Sequence, residues 1–444
     1  MSAQGFRAQI VSTSHDPARG DPAAVSHQSD GLLVVEDGMV ADRGDYAALI
    51  ARYPDLPVTA FPGLLIAPGF VDAHVHYPQS ETIAAYGAQL LEWLEQHIFP
   101  AEAAFADDAH ACEQAELFLD ELLRNGTTSA LVFATVHPGS VDALFQAALG
   151  RDMRLITGKV LMDRGPEGLR DSVEDGRAQT EALIARWRGK GRLGYAVTPR
   201  FAITSSPEQL AQAGEILAAH PDVLLHTHLA ETLPEIDQVA ALFPDAKDYL
   251  DVYERHGLVG PRSVFAHAIH LDEGAMGRLG KAGAAVAFCP TSNLFLGSGL
   301  FDLALADRCG VRVGMGTDVG GGTSFSLLDT LSEAYKVGQL RGTNLDPLRA
   351  LYLATAGGAE ALGIRARVGA LEVGQEADFI VLDPAATPLL ARRTAGADLA
   401  DKLFALQILG DDRAVAAAYV KGRPAHVRDQ DRVVTIRERT RQHG

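Results

Sequence analysis

The chain is poor in cysteine: Cys112, Cys289 and Cys309 are scattered over 444 residues with no CxxC pair. That excludes a disulfide framework and points to a reducing, cytoplasmic setting. Positive charge is also short, with 39 Lys and Arg against 57 Asp and Glu, a formal net charge of −18. A surface of that sign repels nucleic acid and anionic membranes, so neither is expected as a partner. No segment approaches the roughly 20 uninterrupted apolar residues of a membrane span. The opening MSAQGFRAQIVSTSHDP lacks an apolar core and a small-residue cleavage site, so no signal peptide is expected. There is no obvious repeat or low-complexity tract.

What remains is an ordinary globular composition, 47% hydrophobic and 22% charged. At about 150 residues per domain the length suggests two or three units, although one barrel can absorb most of it. Both chain ends are β-rich. Phe6 to Val11, Leu32 to Val35, Ala377 to Leu382 and Val415 to Val420 read as strands, with turns at Asp37-Gly38, Arg43-Gly44 and Lys421-Gly422. Neither end is large enough to fold alone, so the two are expected to pair.

The middle alternates short apolar runs with helical stretches. The runs are LLIAPGFVDAHVH (64–76), TTSALVFATV (127–136), RLITGKVLM (154–162), LGYAVTPRF (193–201), DVLLHTHLAE (222–231), SVFAHAIHL (263–271), AAVAFCPTSN (284–293) and VRVGMGTD (311–318). Segments such as Asp107 to Arg124 and Ser206 to Ala219 have amphipathic helical spacing. Eight strand–helix units predict a (β/α)8 TIM-like barrel over 67–370. Residues 1–66 with 371–444 are expected to form a small β-sandwich domain. In such a barrel, polar residues closing the runs converge on one pocket.

Those closing residues have metal-binding character. His74 and His76 are two apart and share a strand face, as do His226 and His228, with Glu231 three positions further on. Run six carries His267 and His270, and run eight ends in Asp318. The pair from run one, a histidine from run five and the aspartate make an N3O set with room for water, the pattern of a catalytic zinc site.

With PGFVDAHVHYPQS, LLEWLEQHIFPAE, NGTTSALVFATVHP, VTPRF, HTHLAET, CPTSNLFLGSGLF and MGTDVGGGTSFSLLD, this constellation resembles the amidohydrolase superfamily and, within it, the guanine deaminase family. The likeness spans roughly 62 to 335 and continues more weakly through LEVGQEADFIVLD (371–383). It implies one Zn2+ per chain on His74, His76, His228 and Asp318, with Fe2+ chemically acceptable to the same set. His228 is preferred to His226 because the family motif is HxxE; His226 then supports its neighbour or packs in the barrel. Lys159 does not fit the bridging lysine of two-metal relatives and reads as structural.

The implied reaction is hydrolysis of guanine to xanthine and ammonia, by homodimers acting on a small purine. Glu231 is assigned the proton shuttle, Asp318 the base that takes a proton from water, and His267 a hydrogen bond to that water or to the tetrahedral adduct. Gln79, Arg200 and Phe201 are the implied guanine contacts, and His76, His228, Glu231 and Asp318 border the substrate as well as the metal. Trp93 either lines this pocket or is a core residue of an amphipathic helix. Asn293 and Ser298 read as ordering residues, His270 as structural and Cys289 as a buried small residue. Gly320 to Gly322 read as a tight turn, since no Lys-Ser/Thr follows to make a phosphate loop. Two alternatives stay open: an enzyme acting on another aminated heterocycle, such as 8-oxoguanine or an s-triazine, and an inactive scaffold of the same fold.

Overall fold

The computed structural model describes residues 3–87 and 89–428, together with the backbone of a strand at Val434–Ile436. The expected barrel forms. Its parallel strands are Phe70–His76, Thr127–Phe133, Arg154–Gly158, Gly194–Pro199, Leu224–Leu229, Ser263–His267, Ala285–Phe288 and Arg312–Met315, each paired with the next in chain order. The seam is closed just past the eighth strand. Asp318 N donates to His74 O at 2.9 Å, and His76 N donates to Val319 O at 3.0 Å. Every residue of Phe70–His76 is buried. A parallel strand is covered on both faces, so it reads as a continuous apolar run in which a polar residue stands out.

The helices follow their capping signals. Asp107 Oδ1 accepts from Ala109 N at 2.8 Å and starts Asp108–Arg124, which buries Ala111, Ala115, Phe118, Leu119 and Leu122 on one face. Ser206 Oγ accepts from Gln209 N at 3.1 Å to start Pro207–Ala219. Among the described residues no helix is long and apolar enough to cross a membrane.

A second sheet comes from the chain ends. Gln4–Thr13, Val25–Glu36, Met39–Asp45 and Val58–Pro68 join Phe379–Leu382, Val415–Val420 and Arg423–Val427. Val58–Pro68 is the junction, parallel to Gln4–Thr13 and antiparallel to Phe379–Leu382. Phe6 and Tyr419 lie three strands apart, about 14 Å in a flat sheet, yet their rings are 5.1 Å apart. The sheet therefore curls over itself and encloses Phe6, Phe61, Phe379 and Tyr419. Within 371–444 the chain also forms helices Pro388–Thr394 and Leu399–Leu409, the latter sharing the barrel's core through Leu403 and Leu406.

Several local expectations need correction. Asp37-Gly38 and Lys421-Gly422 are two-residue hairpin turns, with φ of 51° and 81° and of 50° and 70°. Arg43-Gly44 is not a turn; it lies inside Met39–Asp45, paired with Leu33 and Leu32. The run 64–76 is not one strand. It changes sheets at Gly69, where a Cβ would lie 2.1 Å from Thr128 Oγ1, so only glycine permits the approach. The eighth strand stops at Met315, and Asp318 sits in the following turn with a φ of 50°.

Candidate active site

Four side chains converge at the C-terminal mouth of the barrel. His74 and His76 come from the first strand, His228 from the fifth, and Asp318 from the turn after the eighth. Their ligand atoms all lie within 4.8 Å of one another. His76 Nε2 is 3.2 Å from His74 Nε2 and 3.3 Å from His228 Nε2. Asp318 Oδ1 is 3.0 Å from His74 Nε2 and 3.3 Å from His76 Nε2. A tetrahedral ion with arms of about 2.0–2.1 Å has edges of about 3.3 Å, so these spacings fit one metal ion. Two of the three outer nitrogens are braced. His228 Nδ1 lies 2.8 Å from Arg200 O, and His74 Nδ1 lies 2.7 Å from His226 Nε2. Such bracing sets the tautomer that turns Nε2 inward. His226 stands behind the cluster, outside the four-atom group.

Asp72 is a participant that sequence reasoning missed. Its Oδ1 accepts from His74 N and from Thr317 N, each at 3.1 Å, and its Oδ2 accepts from Thr317 Oγ1 at 2.5 Å. It ties the strand carrying His74 to the turn carrying Asp318. Burial, opposed by these hydrogen bonds, pushes its carboxyl up to about 7. The signal was present: Asp72, His74 and His76 share one strand face.

Asp318 and Glu231 are driven apart electrostatically. Burial disfavours charge on Asp318, but the histidines around it, His74 first and with hydrogen bonds from His74 and His76, outweigh burial and hold its carboxyl well below the usual range. Burial raises Glu231 well above that range, reinforced by the charges of Asp318 and Glu235. The two neighbouring carboxyls are thus pushed in opposite directions. Ser298 Oγ donates to Glu231 Oε1 at 2.8 Å. His267 Nε2 lies 3.5 Å from Glu231 Oε2 and 3.8 Å from Asp318 Oδ2. Burial lowers its pKa to about 3, so the ring is neutral. Asn293 Nδ2 faces His267 Nδ1 at 2.9 Å, which leaves the proton on Nε2, directed at the two carboxylates.

A cavity opens beside the cluster. His76, His228, Glu231, His267 and Asp318 border it, and Gln79, Trp93, Arg200 and Phe201 complete its walls with Leu90, Leu94 and Leu296. Every expected substrate contact therefore reaches one cavity. Trp93 fits both of its readings, since it lines this cavity and packs with Leu90, Leu94, Ile98 and Phe201. Glu102 was not singled out in the sequence. It is buried and paired with Arg200 and Gln79. Its only clue was its place in the FPAE segment, where a lone glutamate reads as a solvated helix charge.

The remaining candidates lie outside the cavity. Lys159 is fully buried and paired with Asp171, away from the metal-ligand cluster. His270 Nε2 lies 2.8 Å from Ser298 O and so steadies the loop that holds Glu231. Cys289 is buried, and burial with nearby Asp318 and Asp72 pushes its thiol well above the ordinary range, which suits a packing residue and not a nucleophile.

Comparison with known proteins places this geometry. Residues 65–425 match the amidohydrolase family. The chain is 51% identical over 410 residues to the guanine deaminase of Escherichia coli (strain K12), covering 92% of this chain and 93% of that protein. The solved E. coli guanine deaminase superposes with a TM-score of 0.93 at 49% identity, over 96% of this chain and all of that one. Guanine deaminase from C. acetobutylicum, solved with guanine in its active site, superposes with a TM-score of 0.88 at 28% identity, over 95% of this chain and all of that one.

Proposed function

The chain belongs to the amidohydrolase family, and we infer that it converts guanine and water to xanthine and ammonia. The observation that carries this reading is the near-full-length similarity to guanine deaminases, joined to a cavity with the metal cluster on one wall and Gln79, Arg200 and Phe201 on another. An inactive scaffold would lack a ligand or the shuttle carboxylate, and His74, His76, His228, Glu231, His267 and Asp318 are all in place.

We assign zinc to His74, His76, His228 and Asp318, because three imidazoles and a carboxylate match its preferences. A divalent ion held by these four residues would lower the pKa of a bound water toward neutrality. The chain's own groups carry the protons. Asp318, held as the anion, accepts the proton from the attacking water. Glu231, held as the acid, protonates ring nitrogen N3, which makes the adjacent amine-bearing carbon electrophilic; its carboxylate then takes the proton left on the added hydroxyl and relays it to the departing ammonia. His267 Nε2–H donates to the oxygen that adds. Arg200 and Gln79 hold the polar edge of the ring, and Phe201 with Trp93 covers its faces. For assembly and setting, the proposal is a cytoplasmic homodimer, supported by the family resemblance and the low cysteine content.

The deciding measurement is the loss of guanine absorbance as xanthine forms, with and without a chelator. Metal-loaded protein that leaves guanine unchanged sinks the reading. Turnover of 8-oxoguanine or an s-triazine in its place would move the substrate and keep the chemistry.

A further inference from the structure

Glu102 lies in the short helix Phe99–Ala103, outside the barrel strands, and is 1% exposed. Its carboxylate meets two residues of the cavity wall. Arg200 Nη1 donates to both of its oxygens, at 2.7 and 2.6 Å, and Gln79 Nε2 donates to Oε1 at 3.0 Å. An ionised carboxylate accepts and does not donate, so only one orientation of the Gln79 amide satisfies this contact. The amide nitrogen is turned to Glu102, and Oε1 is turned away, 3.4 Å from the N–H of Gly320. Arg200, whose Nη1 serves Glu102, brings the rest of a planar donor fork to the same wall.

We propose that Glu102 is a positioning residue that makes this site read a lactam edge. Building on the deaminase reading above, it holds guanidinium donors ready for a ring carbonyl and an amide oxygen ready for the neighbouring ring N–H. An edge of reversed polarity, an exocyclic amine beside a bare ring nitrogen, meets donor against donor and acceptor against acceptor. A buried mismatch of that kind leaves groups on both sides unpaired and weakens binding by about tenfold or more. Nothing in the metal cluster or in Phe201 distinguishes the two edges; the polarity lock set by Glu102 does.

The test is calorimetric binding of hypoxanthine and adenine to the metal-loaded full chain. The two share a ring system, present opposite edges, and lack the 2-amino group, so binding is read without turnover at that position. The wild-type protein should prefer hypoxanthine by at least about tenfold. Glu102→Gln replaces a pure acceptor with an amide that can present either polarity, so the orientation of Gln79 is left to the long 3.4 Å contact from Gly320 N alone. The preference should shrink by about tenfold while metal content stays constant. For guanine turnover, KM should rise more than kcat falls, and Glu102→Asp should recover part of the preference. An unchanged hypoxanthine-to-adenine ratio in folded, metal-loaded Glu102→Gln overturns the proposal. Should that variant not fold, Gln79→Ala carries the test, because it removes the presented oxygen and leaves the Glu102–Arg200 pair intact; an undiminished preference there also overturns it. A wild-type protein that shows the preference yet leaves guanine unchanged refutes the deaminase reading and not this one.

Discussion

His226 Nε2 lies 2.7 Å from His74 Nδ1, so the fifth strand braces a ring that the first strand aims at the metal-ligand cluster. A histidine bound through Nε2 carries its proton on Nδ1 and needs an acceptor there. His226→Ala should therefore lower metal affinity by about 10- to 100-fold without removing a ligand. Chelator competition measures it, and unchanged affinity would mean that His74 is oriented by packing alone.

Glu231→Gln removes the proton carrier and keeps the shape of the site. Metal content should be normal while kcat falls by at least roughly 10²-fold. Because burial and the Asp318 charge raise the Glu231 pKa, its acid form is the one that persists toward neutral pH. In the wild-type protein kcat should fall as pH rises through that value, and the variant should lose this limb of the profile. Normal turnover by Glu231→Gln would remove it from the mechanism.

Lys159 is paired with Asp171 and lies apart from the metal ligands. Lys159→Ala leaves a mostly buried carboxylate unpaired and should destabilise the fold by about 3–5 kcal/mol. The metal-to-protein ratio should stay at one ion per chain in whatever fraction remains folded. Denaturant melts and metal analysis of the same sample separate the two effects, and a drop in metal stoichiometry would make Lys159 a ligand after all.

Glu376 joins the chain-end segment to the starts of two barrel strands. Arg154 Nη2 donates to its Oε1 at 2.5 Å, and Arg192 Nη2 lies 2.7 Å from its Oε2. Burial works against its charge, but the two guanidinium groups outweigh it and lower its pKa. The unfolded value is about 4.3. A carboxylate depressed on folding contributes its full stability above that pH and loses it as the pH falls through the folded value. The wild-type melting temperature should therefore drop in this acidic window, and Glu376→Gln, less stable at neutral pH, should show a shallower drop. Parallel acid profiles for the two proteins would count against the linkage.

The barrel and its metal-binding residues were legible in the residue string because both are local patterns. Parallel strands are buried on both faces, so each appears as an apolar run, and His74, His76, His228 and Asp318 were visible as polar residues at or just past the ends of such runs. The two-residue turns at Asp37-Gly38 and Lys421-Gly422 were visible for the same reason, whereas Arg43-Gly44 misled because a glycine beside Leu49 can serve a strand as well as a turn.

Glu102, Asp72 and the curl of the chain-end sheet were decided only by the tertiary structure. Glu102 meets Arg200 across 98 positions, and Asp72 meets Thr317 across 245. Periodicity records which face a residue occupies, not what stands opposite it. In its own neighbourhood Glu102 looks like any other helix surface charge, and Asp72 shows only that it shares a strand face with His74 and His76. Only closing the chain reveals that water has been excluded around each carboxylate and that its charge must be met by a particular arginine or backbone N–H.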